Sequence, residues 1–131
     1  MSGSYDIFLA RLRDRGGYAD LARAEQVLTA ALEVLANRLS AHTAEALAAQ
    51  LPAFLTAALE NRSEQQAEQF GVEEFCRRLA ELNETNLKTA RRDAEVVLTC
   101  LADTQRRSLT AQMLHELPHE YAPLFGRPGV T

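Results

Sequence analysis

A chain of 131 residues that is 47% hydrophobic and 24% charged is long enough to bury a core and too apolar to be disordered. Its net charge of −4 and pI near 5.4 leave no basic surplus for a phosphate backbone, which argues against nucleic acid as a partner. No apolar run approaches the roughly 20 residues that span a bilayer, and Met1 to Asp6 has no basic segment leading into an apolar core. A cytoplasmic protein with no membrane partner is therefore expected.

The apolar residues are mostly Leu and Ala, with no Trp, which predicts an all-α domain: Ala lets helices approach closely and Leu fills the seams. The first predicted helix runs from Tyr5 to about Asp14, with Tyr5, Phe8, Leu9 and Leu12 at helical spacing and Ser4 placed to cap. Arg15-Gly16-Gly17 ends it. Asp20 is the N-cap of the longest helix, about Leu21 to Leu39, whose stripe is Leu21, Ala24, Val27, Leu28, Ala31, Leu32, Leu35 and Leu39. Arg23, Glu25, Glu33 and Arg38 fall on its other faces. A third helix, about Ala44 to Gln50, follows the capping residues Ser40 to Thr43. Pro52 opens a fourth, to about Leu59. Residues 60–71 read as a polar linker, with Ser63 and Gln66 spaced as a capping box.

The second half replays the first after about 66 residues. Phe75, Cys76 and Leu79 answer Phe8, Leu9 and Leu12, and Asn83 to Asn86 replaces the Gly-Gly loop, with Asn86 standing for Asp20 as N-cap. Leu87, Ala90, Ala94, Val97, Leu98 and Leu101 repeat the stripe of the long helix, and Leu117-Pro118 repeats Leu51-Pro52. Asp93 and Gln105 stand where the first copy has Val27 and Leu39, so the second long helix is expected to be less buried, or turned, there. The expectation is one domain over residues 1–131, built of two four-helix halves, about 5–59 and 72–125, with a frayed tail from Gly126.

Tyr5-Asp6-x-Phe8-Leu9, the leucine-rich long helix, Gln50-Leu51-Pro52 and Glu116-Leu117-Pro118-x-Glu120-Tyr121-x-x-Leu124-Phe125 together resemble the prokaryotic family catalogued as domain of unknown function 2267. The resemblance covers about Tyr5 to Gly126. It implies an all-helical, duplicated, cytoplasmic bacterial or archaeal domain, and it brings no activity and no catalytic residues.

His115-Glu116-Leu117-Pro118-His119 spells a zinc-protease motif, which needs two His one turn apart on one helix with Glu beside the metal-bound water. Pro118 between them breaks such a helix, and the first copy reads Ala49-Gln50-Leu51-Pro52-Ala53, a structural turn. Beyond Glu120 the chain holds no His, Asp, Glu or Cys as a third ligand. His115, His119 and Glu120 stay as candidates for a metal site, against solvent-facing His as the plainer reading, and His42 reads as a surface or capping residue. Cys76 and Cys100 occupy stripe positions and read as core. The pairs Arg77-Arg78, Arg91-Arg92 and Arg106-Arg107 suggest an anion-binding face, but Glu73, Glu74 and Asp103 stand four residues before Arg77, Arg78 and Arg107, as in a salt-bridged surface.

No catalytic constellation and no cofactor emerges. The expected function is a non-enzymatic interaction module, with an unknown protein partner or a second copy. The alternative is a small-molecule or metal-binding protein using a site near the second Leu-Pro turn.

Overall fold

In a computed structural model of the chain, which describes residues 3–60, 69–104 and 107–126, every regular element is helical and no strand occurs among the described residues. The order is α1 (Gly3–Gly16), α2 (Leu21–Ala36), α3 (Ala41–Ala48), α4 (Ala53–Glu60), α5 (Val72–Asn83), α6 (Leu87–Thr104), α7 (Arg107–Glu116) and a closing 3-10 helix (His119–Phe125).

Local chemistry sets the boundaries. Gly17 turns left-handed at φ 69° to end α1, and Tyr18 N donates to Arg13 O at 3.0 Å. Glu84 does the same for α5 at φ 54°, with Thr85 N donating to Ala80 O at 2.9 Å. Both are the helix exit in which one left-handed residue satisfies the last carbonyls. Asp20 Oδ1 accepts from Arg23 N, and Asn86 Oδ1 from Thr89 N, each at 2.8 Å, so both long helices carry the expected N-cap.

Other boundaries moved. Ser4 lies inside α1 rather than before it. α2 stops at Ala36, short of Leu39, and Asn37 to Leu39 turn away. α3 starts at Ala41, earlier than expected, because Ser40 is its cap. The closing element is a 3-10 helix where α4 is an α-helix, because Pro123 lacks an N–H and its ring collides with the carbonyl four residues back. The Ser63–Gln66 box and the tail beyond Gly126 lie outside the described residues.

α1 packs on α2 and α6, α2 on α4, α5 and α6, α5 on α6, α6 on the closing helix, α3 on α4 and α7, and α7 on the closing helix. Leu12, Leu28, Leu32, Leu35, Phe75 and Phe125 are fully buried in one cluster that draws on all eight elements. The expected exposure at Asp93 is corrected: it is 1% exposed and accepts from Tyr18 Oη at 2.7 Å. A loop tyrosine satisfies it, so the helix need not turn. Burial pushes its carboxyl above the usual range. Gln105 lies outside the described residues. No helix among the described residues is long and apolar enough to cross a membrane.

Candidate functional site

The zinc-protease letters do not lie on one helix. His115 is in the last turn of α7, His119 opens the 3-10 helix, and Leu117 and Pro118 between them belong to neither. Both imidazoles are exposed, as is His42. Among the described residues no three His, Cys, Asp or Glu side chains converge as a ligand set.

The two acids of that stretch instead cap other helices. Glu116 Oε1 accepts from Ser40 N at 2.7 Å, and Oε2 accepts from Ser40 Oγ at 2.9 Å and Thr43 Oγ1 at 2.5 Å. It thus reinforces the N-terminus of α3 across 76 residues of sequence, and Gln112 Nε2 donates to Thr43 Oγ1 at 2.8 Å to close the network. Burial pushes the Glu116 carboxyl up, but the Thr43 and Ser40 donors outweigh it and hold the group below its ordinary value. Glu120 Oε2 lies 3.4 Å from Val72 N, the first residue of α5. A Cβ on Gly71 would fall 2.3 Å from that oxygen, so a larger residue there would push the Glu120 carboxylate away from Val72 N.

Beside this turn is a residue that sequence reasoning placed on the wrong face. Arg38 is 1% exposed, not solvent-facing. Its Nε donates to Phe70 O at 2.8 Å and its Nη2 to Glu116 O at 3.2 Å, and its guanidinium lies 5.7 Å from the ring centroids of both Phe70 and Tyr121. Tyr121 Oη donates to the same Phe70 carbonyl at 2.9 Å, and burial raises that phenol to about 12. Arg78 also lies over the Phe70 ring, 4.1 Å from its centroid. Helical spacing hid Arg38, because α2 ends at Ala36 and spacing no longer governs where residue 38 goes. The arrangement holds elements together. Its charge is spent on carbonyls and rings.

Of the three arginine pairs, Arg77-Arg78 forms a salt-bridged surface. Glu74, rather than Glu73, receives Arg77 at 2.8 and 2.7 Å and Arg78 at 2.8 Å. Those donors from Arg77 and then Arg78 lower its carboxyl to about 2. Asp103 pairs with Arg15 of α1 at 3.1 Å; Arg107 opens the next helix, α7, rather than continuing α6, and Arg106 lies outside the described residues. Cys76 and Cys100 are buried free thiols whose burial pushes them up, away from the nucleophilic thiolate.

One concavity among the described residues was not anticipated. It is a groove of about 510 Å3 between α2 and the end of α5, within the roughly 300–1,000 Å3 typical of ligand sites. Glu25, Thr29 and Glu33 recur at helical spacing along α2, and Ala22 and Ala30 keep the space open because they carry only methyls. α5 contributes Leu82, 47% exposed, and Asn83, 4% exposed. Neither Nδ2 nor Oδ1 of Asn83 has a hydrogen-bond partner, and nor does Oγ1 of Thr85 two residues on. Each such buried orphan costs about 1–3 kcal/mol and calls for an explanation. The Glu25 charge reaches into the fold beside the groove: burial first, then Glu25 and Asp6, raise the Tyr5 phenol to about 12. Sequence reasoning put Glu25 and Glu33 only on faces of the long helix away from its stripe, and Asn83 at the start of a loop. The available signal was an Asn in the last turn of a helix whose counterpart in the first half has Gly16.

Compared with known proteins, residues 5–124 match the model of a family described as Uncharacterized conserved protein (DUF2267). None of the curated proteins matches the chain.

Proposed function

The chain belongs to the uncharacterized conserved family DUF2267, and from that premise we propose that it is a duplicated, non-enzymatic protein-interaction module that contacts its partner through the α2–α5 groove. The observation that carries the reading is the groove's chemistry: Leu82 stands exposed at its rim while the Asn83 amide beneath has no internal partner. An apolar anchor beside an unsatisfied polar group is what a protein surface presents when a partner completes it. The alternative site at the second Leu-Pro turn has less support, because Glu116 and Glu120 are already committed to α3 and α5.

Duplication is supported by the pairing of elements. Under exchange of α1, α2, α3 and α4 with α5, α6, α7 and the closing helix, the α1–α6 contact becomes α5–α2, α1–α2 becomes α5–α6, α2–α4 becomes α6 with the closing helix, and α2–α6 and α3–α7 map onto themselves. A pseudo-two-fold arrangement of two halves accounts for all of these, and the two Leu-Pro turns and two N-caps fit it.

Placing a photoreactive phenylalanine analogue at Leu82, and separately at exposed Ala111 on α7, tests the contact surface in the cells that make the protein. A discrete adduct from position 82 and none from position 111 is expected. An adduct of two chains identifies a second copy as the partner. Equal labelling at both positions, or none at 82, refutes the assignment.

A further inference from the structure

The two long helices carry opposite charge at four matching positions, a comparison that rests on the duplicated-module reading above. Along α2 the groove is lined by Ala22, Glu25, Gln26 and Thr29. At the same places 66 residues on, α6 has Lys88, Arg91, Arg92 and Glu95. Their spacing of three and four puts them on one helix face, and all four are exposed. Glu33, further along the groove, is engaged within the chain, which leaves half-buried Glu25 as the groove's carboxylate for a contact. On α6, Arg92 lies within electrostatic reach of buried Asp93. Lys88, Arg91 and Glu95 make no ion pair among the described residues. Exposed apolar side chains follow the same two faces. Of Ile7, Leu21, Leu82 and Leu87, the large hydrophobics that stand exposed among the described residues, Leu82 lines the groove. Leu21 stands one turn before Glu25, and Leu87 one turn before Arg91. A lone exposed Leu is ordinary. A Leu beside a charge without an ion pair, on each of two faces of opposite sign, is the make-up of an apolar contact with a polar rim.

We infer that the occupant of the α2–α5 groove is a second copy of this chain, seated by the first turns of its α6. Leu87 of that copy lies against Leu82 and the methyls of Ala22 and Ala30, and its Lys88 and Arg91 converge on Glu25. The lengths agree: Leu87 to Glu95 is about 12 Å of helix, and the groove runs about 16 Å from Ala22 to Glu33. The Lys88 and Arg91 stems cover apolar surface while their charged heads stay in water. The contact joins unlike faces and every copy carries both, so association closes a ring or extends a chain. Two turns of helix bury less than the roughly 1,200–2,000 Å2 of a stable complex, so the contact is weak.

Sedimentation velocity of the purified chain, over about 10 μM to about 1 mM, spans the range in which contacts this small dissociate. Leu82→Ser with Glu25→Gln removes the groove's side of the contact and leaves α6 intact. Leu87→Ser with Arg91→Gln does the reverse. A wild-type mass that rises with concentration is expected, with association weaker by about tenfold or more in each variant alone. An equal mixture of the two variants should regain association, because each supplies the face the other lacks, and that recovery shows both to be folded. A wild-type mass that stays at one chain, a variant that associates like wild type, or a mixture no stronger than its components each overturns the inference. If the Leu82 photo-adduct joins the chain to a different protein while the purified chain stays single, the interaction reading stands and the second-copy inference falls. Loss of both removes both.

Discussion

Glu116→Gln separates a helix cap from a catalytic base. In the folded protein Oε1 receives one donor, Ser40 N, and Oε2 receives two hydroxyls, from Ser40 and Thr43. Glutamine has one acceptor oxygen, so whichever way its amide is turned, at least one donor faces an NH2 group. The lost bond is charge-assisted, worth roughly 1.5–3 kcal/mol when well shielded. Glu116 is only partly buried, so a discounted loss of about 1–2 kcal/mol at pH 7 is expected. For a chain of this length that lowers Tm by very roughly 3–8 °C. The pH dependence fixes the cause. The folded carboxyl is held below its ordinary value, so its contribution is complete above the unfolded value near 4.3 and is lost as pH falls through the folded one. Urea unfolding of wild type and variant, followed by circular dichroism at pH 7 and again near pH 3.5, should show the difference shrinking in acid, where protonated Glu resembles Gln. A destabilisation equal at both pH values, or absent at pH 7, refutes the capping role. A double-mutant cycle with Thr43→Val should deviate from additivity by about 0.5 kcal/mol or more.

Arg38→Met keeps much of the side-chain volume but strands the Glu116 carbonyl, while Phe70 O retains the Tyr121 hydroxyl. Adding the lost contact with the Phe70 ring, the cost is about 2–4 kcal/mol, read from denaturant midpoints; a loss under about 0.5 kcal/mol contradicts the buried geometry. Asp93→Asn is expected to show the opposite pH trend to Glu116. Burial raises the Asp93 carboxyl, so wild type is penalised as pH climbs through the raised value, and the variant should gain relative stability between about pH 4 and pH 7. A relative stability that falls over that range refutes this. Replacing His115 and His119 together with Ala should change stability by no more than about 0.5 kcal/mol, since both are exposed. A wild-type melt stabilised by zinc and a variant melt that is not would restore the metal site.

What the sequence made legible was the part of the fold that local chemistry decides. Asp20 and Asn86 were readable as caps because a cap is a short-range bond to the residue three positions on. The Leu stripes were readable because one face of each long helix meets the core from Ala24 and from Ala90 onward, whereas Leu21 and Leu87, placed on the stripes by their spacing, sit in the first turns and are exposed. Apart from element ends such as Ser4 and Leu39, the readings that failed were long-range ones. Arg38 lies beyond the end of α2, so its partners are carbonyls 32 and 78 residues away. Asp93 looked like a breach in the second stripe because its partner, Tyr18, stands 75 residues earlier in a loop. The same contrast explains the false enzyme motif. His115, Glu116 and His119 have the right spacing for one helix, yet Pro118 ends that helix and Glu116 is drawn to α3, a segment no local pattern ties to it. The groove was invisible for a further reason, because α2 and the end of α5 line it together from distant parts of the sequence. Only the fold shows that Asn83, at the end of α5, is buried with its amide unpaired beside α2. A groove lined from two distant parts of the sequence is therefore where the fold, and not the local pattern, points to a contact surface.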